Sequence, residues 1–88
     1  MEENFNKHLG NKLKLRRLAL GLTQTKVAKA INVTFQQIQK YEKAQNKIPL
    51  DKLVSVARYL KKPLSFFIPQ LDEPLILKPE WEVKNVQQ

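Results

Sequence analysis

Gln36, Gln37 and Lys40 carry the side chains of this sequence best suited to molecular recognition. A glutamine amide sets a donor beside an acceptor and pairs bidentately with adenine; a lysine donates to guanine. Phe35, set among them, is large and apolar enough to meet a thymine methyl. The stretch that must hold these groups is residues 23–42, TQTKVAKAINVTFQQIQKYE, which reads as two short helices joined by a tight turn. Thr23 is a cap for the first helix, and Val27, Ala28 and Ile31 form one apolar stripe on it. Asn32 tolerates the left-handed backbone that ends a helix, and Val33 anchors the turn. Thr34 caps the second helix, on which Ile38 and Tyr41 are the buried groups. The rest of that helix faces outward. A polar helix face alone is equally compatible with a solvated surface, so the weight rests on the turn signature and on charge.

Net charge is +8, and it is unevenly spread. Residues 1–68 hold 14 Lys and Arg against 4 Asp and Glu, a net +10, whereas residues 69–88 hold 2 against 4, a net −2. A basic body points to a polyanion; charge alone fits a membrane surface or RNA as well as DNA, and the helix pair is what favours duplex DNA. There is no Cys, which excludes disulfides and thiolate metal sites, and the lone His8 is expected at the surface. No paired catalytic groups and no phosphate loop are present, so an enzyme is excluded and no cofactor is expected. No apolar run approaches a membrane span and no leader is visible, which predicts a cytoplasmic protein, on the nucleoid when bound to DNA.

The elements around the helix pair follow in order. Residues 1–8 are polar and expected to be loose, apart from a contact by Phe5. Residues 9–20 read as a helix ended by Gly21, with Leu9, Leu13 and Leu20 on a core face shared with Arg16 and Arg17. That places Arg17 inward, where a charge needs a carboxylate, and Glu42 is the natural partner. After Glu42, the polar loop Lys43, Gln45, Asn46 and Lys47 has the amides and cations that contact phosphates beside a reading helix. Leu53, Val56, Ala57 and Leu60 give a helical stripe over residues 49–60, and Pro63 opens a last short helix whose Phe66 and Phe67 close the core. The expected fold is all-α, a five-helix bundle over residues 9–68 with an extended tail, 69–88.

These residues resemble the helix-turn-helix domain of lambda and 434 repressor and Cro, the XRE family. The resemblance rests on Leu20-Gly21-Leu22-Thr23-Gln24, Val27-Ala28, the run from Thr34 through Lys43, and Leu53, Leu60, Pro63, Phe66 and Phe67. It implies a homodimer on a near-palindromic operator, with Gln36 and its neighbours in the major groove and a repressor role. Base contacts are then expected from Phe35, Gln36 and Lys40, and phosphate contacts from Thr34, Gln37, Lys43, Asn46 and Lys47, to which the resemblance adds Gln24. The Arg17–Glu42 pair is a recurrent feature of such domains. The sequence departs from the pattern at Asn32 and Ala44, where Gly is usual, and at Lys61 and Lys62. Asn suits the turn. Ala resists left-handed geometry, which predicts that the reading helix runs on toward Asn46. The two lysines predict a looser or more exposed final junction.

The tail lies outside this pattern. Pro69, Pro74 and Pro79 break helices, while Leu75, Ile76 and Leu77, then Trp81 and Val83, form apolar patches. A second copy is the expected partner of these five residues; the chain's own body, another protein, or a flexible terminus with no partner are the alternatives. Two other readings compete: a DNA-binding antitoxin whose tail wraps a toxin, and an interaction adaptor whose basic face only solubilises it.

Overall fold

The computed structural model describes residues 2–69 and is helical throughout its regular elements: α1 Glu2–Ala19, α2 Gln24–Ile31, α3 Phe35–Glu42, α4 Leu50–Tyr59 and α5 Leu64–Phe67. α1 lies against α3 and α5, α2 against α3 and α4, and α4 against α5. The most deeply buried side chains are Leu13, Val27, Ile38, Val56, Leu60 and Phe67, so each helix contributes to one core. Burial of such side chains is the main favourable term in holding the bundle together.

The first helix begins at Glu2, not at Leu9. The segment expected to be loose is helical because Phe5 lies one turn before Leu9 and packs on the core, extending the stripe Phe5, Leu9, Leu13, Arg17 at intervals of four. Leu20 is not on that stripe. It follows the last helical residue and is 39% exposed, because the chain has already turned away.

Four helices end in the same way. Gly21, Asn32, Ala44 and Lys61 all adopt the left-handed backbone, with φ of 69°, 60°, 59° and 59°. In each case the following N–H closes back over five residues: Leu22 to Arg17 O, Val33 to Ala28 O, Gln45 to Lys40 O and Lys62 to Ala57 O, at 2.8–3.0 Å. This closure satisfies carbonyls that a helix end leaves without partners. Two expectations are thereby corrected. α3 does not run on toward Asn46, since Ala44 accepts the left-handed geometry and the hydrogen bonds outweigh its cost of roughly 1–2 kcal/mol. The Lys61–Lys62 junction is closed by the same bonds, and the Phe66 ring centre lies 5.0 Å from Lys62 Nζ and 4.7 Å from Lys12 Nζ. Phe66 is only half-buried, whereas Phe67 fills the core.

Candidate nucleic-acid interface

The site is built on the α2–turn–α3 unit. Thr23 Oγ1 accepts from Lys26 N–H and Thr34 Oγ1 from Gln37 N–H, each at 3.1 Å, so both helices start on a hydroxyl cap. Asn32 makes the turn between them. On the far side, Lys52 of α4 donates its Nζ to Ile31 O at 3.0 Å and caps the end of α2. This contact has no sequence signature, because it joins two helices that are not consecutive.

α3 is fixed to the body by its inner face. Ile38 and Tyr41 are buried. At about 100° per residue, Gln36, Lys40 and Lys43 share one stripe roughly opposite them, flanked by Phe35 on one side and Gln37 on the other. Gln36, Lys40 and Lys43 are exposed, Phe35 is 40% exposed, and Gln37 is half-buried. The three residues expected to meet bases thus lie on the outward half of one helix. Asn46 and Lys47 are exposed on the loop that follows.

α1 approaches α3 closely at Gly10, a residue that no periodicity had singled out. A Cβ there would collide with Tyr41 O and lie 2.8 Å from Glu42 O, both main-chain atoms. About two turns further along α1, the Arg17 guanidinium grips Glu42 bidentately: Nε donates to Oε2 at 2.6 Å and Nη2 to Oε1 at 3.0 Å. Arg17 Nη1 donates to Leu22 O at 2.9 Å. Both side chains are withdrawn from solvent, at 9% and 3% exposure. Gln24, expected only at a phosphate, also donates Nε2 to Glu42 Oε1 at 2.9 Å. One carboxylate therefore ties α1, the start of α2 and the end of α3. Arg16 Nε, half-buried on the same helix, donates to Leu60 O at 2.9 Å and holds the end of α4.

The electrostatics follow from this arrangement. Between residues 4 and 69 the carboxylates are Glu42 and Asp51, and Glu42 is spent on Arg17. The exposed lysines Lys26, Lys29, Lys40 and Lys43 of the α2–α3 unit and its end therefore keep their positive charge, since Glu42, the one carboxylate near them in sequence, is paired with Arg17. Among the described residues no cluster of His, Cys, Asp and Glu could hold a metal, and no helix is long and apolar enough to cross a membrane. Leu75, Ile76, Leu77, Trp81 and Val83 lie outside the described residues.

A family model described as helix-turn-helix matches residues 13–67. An HTH-type transcriptional regulator of Sinorhizobium medicae is 43% identical over 60 residues, covering 68% of this chain and 43% of its own length. A transcriptional regulator in the ATPase CF(0) region of Rhodospirillum rubrum is 42% identical over 65 residues, covering 74% and 60% of the two chains. The chain thus spans about half the length of these relatives. Among solved structures, the clp gene regulator ClgR of Corynebacterium glutamicum superposes with a TM-score of 0.71 at 22% identity, over 74% of this chain and 69% of that one. The restriction-modification controller protein C.AhdI of Aeromonas hydrophila gives 0.66 at 21% identity, over 69% and 92%. At such identities the two structures speak for the fold. All these matches are regulators and none is an enzyme. By the span of the family match, by identity to its relatives and by the five-helix arrangement, the chain belongs to the XRE-type helix-turn-helix family of DNA-binding transcriptional regulators.

Proposed function

We propose that this protein is a sequence-specific DNA-binding regulator that inserts α3 into the major groove and acts as a homodimer on a near-palindromic operator, as a repressor. The observation that carries the reading is the division of α3: Ile38 and Tyr41 are locked into the core while Phe35, Gln36 and Lys40 stand outward on a basic surface. Gln36 is assigned to a base edge by its paired donor and acceptor, Lys40 to guanine, and Phe35 to a thymine methyl. Thr34, Gln37, Lys43, Asn46 and Lys47 are assigned to phosphates flanking the groove. Gln24 spends one amide hydrogen on Glu42, and its second is the one we assign to a phosphate.

One bundle spans only a few base pairs, and genome-level selectivity calls for two. Two copies read half-sites about 34 Å apart, one turn of the duplex. We assign the contact between copies to the tail, through Leu75, Ile76, Leu77, Trp81 and Val83. The repressor sense rests on the resemblance to repressor and Cro domains. Selection of bound duplexes from a random pool, followed by footprinting, tests the reading. Enrichment of one motif with two related half-sites is expected. A pool that never converges would overturn it.

A further inference from the structure

Glu42 Oε1 accepts twice, from Arg17 Nη2 at 3.0 Å and from Gln24 Nε2 at 2.9 Å. The second bond joins the first residue of α2 to the last of α3, 18 positions along the chain. A carboxylate only accepts, so the Gln24 amide must turn its nitrogen, not its oxygen, toward Glu42. The glutamine does not make that choice itself. The last torsion of its side chain is broad and roughly two-fold, so a free amide presents nitrogen and oxygen almost alike. The buried carboxylate breaks the tie.

The two side chains differ in what they can reach. Glu42 is 3% exposed at its side chain and can touch a ligand only through a neighbour. Gln24 is half-buried and keeps part of its side chain toward solvent. One N–H of its amide is spent on Glu42, and one remains. Phosphate oxygens only accept, so an amide held by its nitrogen meets a phosphate favourably and one that offers its oxygen repels it. A bare carboxylate behind that contact would also repel the phosphate, and Arg17 cancels its charge.

We infer that Glu42 is a positioning residue for DNA binding: it orients the Gln24 amide so that one nitrogen bridges the buried carboxylate and a phosphate of the duplex. The inference rests on the phosphate contact assigned to Gln24 above and names the group that sets its orientation. Phosphates are common to every duplex, so a mixed-sequence duplex serves as the probe and no operator is required. Affinity is measured for the full chain, for Gln24→Ala, for Glu42→Gln and for Q24A/E42Q, each below its melting temperature with the folded fraction read by circular dichroism. A glutamine in place of Glu42 keeps its size but has one oxygen, which cannot serve both ends of the Arg17 fork and Gln24 together. Gln24→Ala is expected to weaken binding about tenfold, as the loss of a hydrogen bond to a charged group does. Glu42→Gln is expected to weaken it several-fold when Gln24 is present, and by less than about twofold when Gln24 is already replaced. R17M/E42L removes the buried charges together, and is expected to bind as weakly as Gln24→Ala even where its melt matches the parent's. Equal loss, or none, from Glu42→Gln in the two backgrounds overturns the inference, as does an unchanged affinity in Gln24→Ala or a folded R17M/E42L that binds like the parent. In each of these cases duplex binding itself stands; a parent chain that binds no duplex removes the DNA reading as well.

Discussion

Glu42 is the carboxylate on which α1, α2 and α3 meet, through Arg17 and Gln24. Replacing it by Ala leaves the Arg17 guanidinium at 9% exposure with no counter-ion. Breaking such a pair costs about 3–5 kcal/mol, so Glu42→Ala is expected to lower the urea midpoint sharply. The double variant R17M/E42L should recover much of the loss, because two apolar groups leave no charge buried. An unchanged midpoint in Glu42→Ala would mean that the pair contributes nothing to the fold. On the outward face, Gln36→Ala should cost about 1–3 kcal/mol at one base position and relax preference there, while Lys47→Ala weakens all sequences alike. Affinities on a set of single-base variants of the selected duplex distinguish the two. The same sequence-blind loss from both would refute the division between base and phosphate contacts.

Helix ends and helix contacts decide where α3 stands. Ala44 holds a left-handed backbone that Gly adopts freely. Ala44→Gly is therefore expected to stabilise the protein by about 0.5–1 kcal/mol, the relief of strain less the added backbone entropy of Gly. Gly10→Ala acts oppositely. Its Cβ meets main-chain oxygens of α3 that cannot rotate aside, so α1 must shift, at about 1–3 kcal/mol. Thermal melts of the two variants should move in opposite directions, and a Gly10→Ala melt equal to the parent's would show that α1 and α3 separate at no cost. These two positions also mark the reach of sequence reading. The caps at Thr23 and Thr34, the turn at Asn32 and the stripes of α2 and α4 are local patterns, and they were legible. Gly10 encodes a distance between helices that no local pattern carries. Ala44 is not legible from its intrinsic preference, because the bonds that close the turn, such as Gln45 N–H to Lys40 O, outweigh it. The start of α1 was missed because a single apolar residue, Phe5, holds it to the body. The outward set Phe35, Gln36 and Lys40 was legible as exposed, because Ile38 and Tyr41 fix the opposite face.

At the scale of the whole molecule, the charge separates into a +10 body and a −2 tail. On the proposed reading, the body's field draws in any duplex, and the outward face of α3 distinguishes one sequence from another. Each phosphate neutralised contributes about 0.9 to the slope of log affinity against log salt. A reader with this many cations near one helix must therefore show a steep slope on every duplex, together with an offset between the right sequence and a shuffled one. The most direct test measures affinity for the selected duplex and for a shuffled duplex of equal length, from dilute to physiological salt. Two steep lines are predicted, with the selected duplex bound at least about a thousand times more tightly at physiological salt. A flat salt dependence, or two lines that coincide, would contradict the claim that α3 reads sequence from a basic body.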